Sequence, residues 1–320
     1  MSGIPLVSVV TPVYNGEEHL AECIESVLAQ TYPNWDYTII NNCSTDRTRE
    51  IAESYAAKDS RIRVQNNESF LRIIPNHNHA FRQISPGSKY AKMVFADDWL
   101  YPECLERMVK LAEANPSVGI VAAYGLRGTD VVYTGLPYTA TAISGREVCR
   151  LRFFGTPNVF GTPTAHMFRS DLVRARTPFY NESNLHADAE VCFDLLKHCD
   201  FGFVHQVLSY TRQREGSMTM RSKELNSMVA GTLYDIVVHG PSYLSPAELQ
   251  SCLKLHMRRY YNFLGRCVWQ KRDKQFWEYH KKKLDEVGLG LSRPRLWQWA
   301  CMNAVKETIE RASRGHVTIA

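Results

Sequence analysis

Three apolar runs near the start of the chain each end in a polar cluster: "LVSVVTPVYN", "DYTIINNCSTD" and "KYAKMVFADD". The segments between them have helical period. In "EEHLAECIESVLAQ", Leu20, Ile24, Val27 and Leu28 share one face, and Asn15 with Glu18 has the spacing of a helix cap. "DRTREIAESYAAK" follows the second run, "RIRVQNN" supplies another strand, and further helices are expected at about 77–84 and 102–114. Strands alternating with helices of this length imply a parallel sheet covered on both faces. Such sheets hold ligands at the carboxyl ends of their strands, which is where "TPVYN", "NNCSTD" and "ADD" fall. Asp97 and Asp98 therefore read as more than a solvated turn, since two adjacent like charges repel unless something positive lies between them.

The region from about Val118 to Arg214 is less regular, with clusters such as "GTPNVFGTPTAHMF", and long loops in a compact domain are usually functional. After about Pro241 long helices take over. Leu253, Met257, Tyr260, Tyr261, Leu264 and Val268 recur at helical spacing, and Pro294 suits the first turn of a last helix carrying Leu296, Trp299 and Ala300. The expected organisation is an α/β domain over 1–240 and a helical region over 241–320.

With 320 residues, 44% hydrophobic and 22% charged, the chain can bury one large core or two modest ones. No stretch has the roughly 18 apolar residues of a membrane span, and "MSGIPLVSVVTPVYNG" has no basic leader, so a cytoplasmic location is the expectation. Nine cysteines without a C-x-x-C pair fit reduced thiols better than a disulfide framework or a zinc cage. The net charge of +5 is modest, but Lys and Arg crowd the region from Lys254 to Arg314, a bias toward anionic partners.

A diphosphate is commonly bound through a hard divalent cation, which takes carboxylate oxygens while keeping room for phosphate oxygens, and Asp97 and Asp98 offer such oxygens. The chain has no G-x-x-x-x-G-K-[ST] loop, and "TPVYNG" lacks the G-x-G-x-x-G fingerprint. A P-loop kinase and a dehydrogenase are both disfavoured.

"VSVVTPVYNGEEHLAECIESVLAQTYPNWDYTIINNCSTDRT", followed by "FADDWLYPECLERM", closely resembles the family 2 glycosyltransferases, inverting enzymes of the GT-A fold, over roughly residues 5–215. The resemblance implies a Rossmann-like α/β nucleotide-diphospho-sugar transferase sheet, here followed by a C-terminal helical subdomain. It implies that Pro12 and Tyr14 border the nucleotide and that Asn42 stands where an aspartate usually reads the base. Asp97 and Asp98 match the D-x-D-type motif, with Asp97 toward the nucleotide and Asp98 as the ligand of Mn²⁺ or Mg²⁺. Asp188, in "HADAEVCFDLL", matches the general base. Arg212, Arg214 and His166 are candidates for a phosphate or acceptor pocket. The chain departs from the family at Asn41 and Asn42, where the usual pair is aspartates, at Ala187, where an acid is usual, and at Arg214, where many members have histidine.

The implied partners are a nucleotide-diphosphate sugar, with a UDP-sugar favoured, and a glycan, lipid-linked or small-molecule hydroxyl acceptor. A homodimer and at most peripheral membrane contact are compatible with the C-terminal helices, and no nucleic-acid partner is expected. Blander readings stand beside these: Asp188 as a helix cap, Tyr14 as core packing, His166 as a pocket-wall histidine, and His77 with His79 as no metal pair. An inactive nucleotide-sugar or carbohydrate-binding module is kept open by Asn41 and Asn42. A sugar nucleotidyltransferase would carry a glycine- and arginine-rich loop where the chain has "TPVYNGEEH".

Overall fold

The structure is a computed structural model that describes residues 3–155, 159–213, 222 and 224–315. The chain divides into two compact units, Met1–Gln213 and Arg214–Ala320.

The first unit is built on a mixed sheet. Its leading strand β1 (Val7–Val13) is buried at every residue, as expected of a strand covered on both faces. It pairs in parallel with β2 (Trp35–Asn41), and β2 with β3 (Ile62–Asn66). Val13 lies opposite Asn41 and Asn41 opposite Asn66, so the three strands finish level. Helices α1 (Leu20–Leu28), α2 (Thr48–Ala56) and α3 (Ile73–Phe81) alternate with strands, and β4 (Tyr90–Met93) pairs in parallel with the other side of β1. Valine, leucine and isoleucine side chains such as Val7, Val9, Leu20, Ile24 and Ile39 are fully buried; each stabilises the fold by about 1.5–3 kcal/mol relative to exposure, which makes this half a stiff platform.

Two local expectations are corrected. Leu20 opens α1 behind His19 with no side-chain cap. Asn15 instead takes a left-handed backbone (φ 49°), which asparagine tolerates better than most residues, and accepts a hydrogen bond from Thr45 N–H at 2.9 Å. Gly16 N–H donates to Thr48 Oγ1 at 2.7 Å and Glu17 N–H to Asp46 at 3.0 Å, so this turn is tied to the loop after β2. Helix α3 begins at Ile73 rather than near His77, because Pro75 falls in its first turn, where a missing N–H breaks no helical bond.

Beyond β4 come β5 (Trp99–Leu100), α4 (Cys104–Ala114), β6 (Val118–Arg127), β7 (Asp130–Val132), β8 (Ala142–Ile143) and α5 (Gly145–Phe153). A short 3₁₀ turn, Pro163–Ala165, leads into β9 (Met167–Arg169), followed by α6 (Ser170–Arg174), α7 (Ala187–Leu195) and β10 (Asp200–Tyr210). Among the described residues the sheet runs β3-β2-β1-β4-β9-β6-β10-β5. The wholly parallel sheet expected from the alternation is interrupted by β9, which lies antiparallel to both β4 and β6 and carries the 3₁₀ turn to the end of β4.

The second unit is helical. Ser227–Val238, Pro246–Trp269, Lys274–Glu286 and Arg293–Gly315 are its longer helices, with a core around Tyr260, Tyr261, Leu264, Phe276 and Leu284. Ser245 and Glu248 form a reciprocal cap on the second of these. The division lies ahead of the 240/241 boundary expected from composition, because Ala230 and Leu233 of the first helix pack in this C-terminal core. Among the described residues no helix is long and apolar enough to cross a membrane.

Candidate active site

The chain leaves the β4 ladder after Met93 and turns at Phe95–Asp98, with Asp98 N–H donating to the Phe95 carbonyl at 3.0 Å. Asp98 is only 2% exposed. Its Oδ2 accepts from Thr164 Oγ1 at 2.6 Å and its Oδ1 from Arg212 N–H at 3.0 Å. Burial and the neighbouring Asp97 push its carboxyl up to about 7, against the pull of these two donors and Arg127. Asp97 is the more open of the pair, and its carbonyl accepts from Arg212 Nε at 3.2 Å.

Directly behind, fully buried Lys92 on β4 donates to the carbonyls of Thr164 at 2.7 Å and His166 at 3.0 Å. Burial lowers its ammonium from the usual range, opposed by Cys104 and Asp98. Thr164 is the joint, because its carbonyl takes Lys92, its hydroxyl donates to Asp98, and that hydroxyl also accepts from Phe95 N–H at 3.2 Å. His166 is fully buried with both ring nitrogens lacking a hydrogen-bond partner, and burial followed by Lys92 drops it to about 3. A neutral imidazole packed on Phe168 at 5.3 Å matches the pocket-wall reading better than a phosphate contact.

Asp188 lies in the first turn of α7, behind His186 at the helix start. It keeps some surface open to solvent, yet loss of hydration raises its carboxyl from the usual range, and the His186 charge opposes that rise. Its Oδ1 accepts from Ala189 N–H at 2.9 Å, so it is held in place without serving as the cap residue. The loop before α7 is fixed by buried Glu190, whose carboxylate accepts from Asn181 and Asn184. Tyr180 packs on His77 at 6.3 Å, and His77 on Phe95 at 4.9 Å, a run of rings from the neighbourhood of Asp188 to the turn that carries the aspartate pair. Tyr180 is itself within the field of Asp188: its hydroxyl is raised chiefly by burial and further by that carboxylate.

At the other end of the strand edge, Pro12 is buried in β1 while Tyr14 is 47% exposed, its ring edge-on to the 56% exposed Phe70 at 4.9 Å. Asn42 is buried, and both ends of its amide are engaged: Nδ2 donates to the Leu71 carbonyl at 2.7 Å, and Oδ1 accepts from Leu71 N–H and Asn67 Nδ2, each at 2.9 Å. The amide assigned to the base thus holds backbone. The Arg212 guanidinium bonds Glu22 and lies 5.3 Å from the Trp99 ring, so it straps the Asp97–Asp98 turn in addition to any contact with phosphate. Arg214 lies outside the described residues. The sequence reading missed Lys92, Thr164, Arg127 and Tyr180; the partners of Lys92 and Thr164 lie 66 or more residues away along the chain. The one visible signal was a lysine within the apolar run "KYAKMVF".

Among the described residues no cluster of three or more His, Cys, Asp or Glu could hold a metal by itself. The Asp97–Asp98 pair nevertheless fits a hard cation shared with phosphate oxygens, which needs only one or two carboxylates, and a cation would offset both the burial and the Asp97 charge that raise Asp98.

A Rossmann-like sheet with a carboxylate pair at one strand end and a third carboxylate at a helix start is an architecture of the GT-A type. The chain belongs to glycosyl transferase family 2, whose sequence profile matches residues 8–177. It is 32% identical over 157 residues to EpsE of Bacillus subtilis, named as a candidate glycosyltransferase, a match covering 47% of this chain and 55% of that protein. Glycosyltransferase GlyG of Streptococcus pneumoniae is 24% identical over 229 residues, 69% of this chain and 75% of that one. The match thus spans about half the length of the first of these relatives. The fold is that of S. aureus TarS 1-349, solved with UDP-GlcNAc (TM-score 0.66, 16% identity, 90% of this chain and 85% of that one). It is also that of the Pyrobaculum calidifontis mannosyltransferase PcManGT, solved with GDP-Man and Mn²⁺ (TM-score 0.56, 13% identity, 95% and 81%).

Proposed function

We propose that the protein transfers a sugar from a nucleoside-diphosphate sugar to a hydroxyl acceptor by a single, inverting displacement, with Asp188 as general base. The observation that supports this reading is Asp188 itself: a carboxyl raised above its ordinary range in the first turn of a helix, its charge felt by Tyr180, whose ring packs on His77 and through it on Phe95 of the turn that carries the aspartate pair. A base so raised takes the acceptor's proton more readily than an ordinary carboxylate does.

Asp98, with Asp97 beside it, would hold Mn²⁺ or Mg²⁺ against the donor's diphosphate; the ion, when bound, offsets charge on the leaving group. The chain's own part is to fix these groups. Thr164 and Arg212 N–H orient the Asp98 carboxylate, Lys92 anchors Thr164 from beneath, and Tyr14 with Phe70 offers ring surface to the base. A UDP-sugar is the first donor to try, since TarS, of the same fold, was solved with UDP-GlcNAc and with UDP. A role in building a polysaccharide is supported by relatives such as TuaG of Bacillus subtilis, named for teichuronic acid biosynthesis, 31% identical over 126 residues.

The test is a thermal-shift panel of nucleotide sugars with and without Mn²⁺. A UDP-sugar should raise the melting temperature in a Mn²⁺-dependent way, because a ligand of the folded state alone stabilises it. A transition that no nucleotide sugar moves would overturn the donor reading.

A further inference from the structure

Asn41 and Asn42 stand where the family resemblance leads one to expect aspartates, and the structure supplies a physical reason for amides. Leu71 presents both its N–H and its carbonyl to the Asn42 side chain, at 2.9 and 2.7 Å. That pairing decides which end of the amide is oxygen, and it is a pairing a carboxylate cannot make: an aspartate would lose the donor and set its charge against the Leu71 carbonyl. Around this pair the amides are linked to one another. Asn67 Nδ2 donates to Asn42 Oδ1 and to Asn76 Oδ1 at 3.1 Å, and Asn41 takes Ser44 N–H at 3.2 Å while donating to Asn66 at 2.7 Å. The lattice ties the ends of β2 and β3 and the first turn of α3 to residues 67–71. The preceding residue, Phe70, is thereby placed edge-on to Tyr14, giving two half-exposed rings above the strand ends.

We propose that Asn42 is a positioning residue rather than a base reader. Its amide locks the 67–71 segment as a fixed wall of the donor pocket, and the nucleobase is held by the Tyr14 and Phe70 rings. Every base has an aromatic face, so a site of this kind discriminates weakly among bases. The inference rests on the donor reading above and extends it to donor selectivity.

The experiment compares wild type, Asn42→Asp, Asn42→Ala and Phe70→Ala, using calorimetric binding of UDP, dTDP, GDP and ADP with Mn²⁺ and hydrogen exchange at the Leu71 amide. Wild type should bind the four nucleotides within about tenfold of one another. Asn42→Asp and Asn42→Ala should each weaken all four by at least about tenfold without changing their order, and Phe70→Ala should do the same, within the loss expected when a stacking ring is removed. Leu71 should exchange at least about tenfold faster in Asn42→Asp, with amides of β1 unaffected, since that segment is then free to open locally. Tighter UDP binding by Asn42→Asp, or a changed order among the bases, would show that residue 42 reads the base and would overturn the proposal. Unchanged Leu71 exchange would overturn the clamp itself. If wild type binds none of the four nucleotides while Leu71 exchange responds, the clamp stands and the donor reading fails, taking the pocket role with it.

Discussion

At the ends of β2 and β3 the carboxyl edge of the sheet is made of neutral amides bonded to one another and to Leu71, whereas two strands from β2 the end of β4 carries two adjacent carboxylates. The Asn42 amide is engaged at both ends, and Asn41 and Asn67 link it to neighbouring amides and backbone. Asp98 accepts two hydrogen bonds and is still driven toward neutrality by burial and by Asp97. The contrast separates two tasks: a neutral, extensively bonded amide network fixes shape, while a charge left under-compensated in a buried place is poised to bind an opposite charge. Substitutions in the two places should accordingly differ in kind. Those among the amides should loosen a wall, and those among the carboxylates should trade stability against ion binding and turnover.

The largest effect is expected at Asp188. Asp188→Asn keeps the shape and removes the proton acceptor, so donor affinity should hold while turnover falls by at least about 10²-fold, the lower end for a positioned general base; steady-state kinetics at saturating donor would measure it. Next is Asp98. Asp98→Ala leaves the Thr164 hydroxyl and Arg212 N–H without their acceptor in a buried place and should cost about 1–3 kcal/mol of unfolding free energy. Asp98→Asn removes the charge repulsion while filling the same space. It should melt no lower than metal-free wild type at neutral pH yet lose Mn²⁺-dependent donor binding; a lower melting point with Mn²⁺ dependence intact would erase the contrast between the two ends.

A pH series gives a smaller, graded effect. Asp98 is raised to about 7 in the folded state from an ordinary unfolded value near 4, so the folded chain binds the extra proton in that interval. This group's contribution to metal-free stability is therefore greatest at acid pH and falls as pH rises from about 4 to about 7. Mn²⁺ competes with that proton, so its affinity should drop as pH falls below about 7, by about tenfold per unit at the limit. Turnover should likewise decline on the acid side at a pH above the ordinary carboxylate range, because the raised Asp188 must be deprotonated to act. The smallest effect on turnover is expected for Thr164→Val, which deletes one donor to Asp98 and the acceptor of Phe95 N–H and should cost about 1–3 kcal/mol of stability while raising the Asp98 carboxyl further.

The alternating half of the fold was legible because period and motif agree there: β1, α1, β2, α2 and β3 lie where "LVSVVTP" through "RIRVQNN" put them. The three-residue β9 was not, since so short a run has no period of its own and its direction depends on partners on either side. Asp97, Asp98 and Asp188 were singled out by motif. Their supports were not: Thr164 and Arg212 meet Asp98 across 66 and 114 residues, and nothing local marks a threonine or a main-chain N–H for that task. Asn42 shows the limit most plainly, because its residue type was noticed but its partner is the backbone of Leu71, whose N–H and carbonyl belong to every residue alike.

The central claim is that one carboxylate base, and no nucleophilic carboxylate, carries the transfer. The anomeric configuration of the first-formed product, read by proton NMR before any mutarotation or further reaction, tests it most directly. The account predicts a configuration inverted relative to the donor; a retained configuration would require a second displacement and would contradict it.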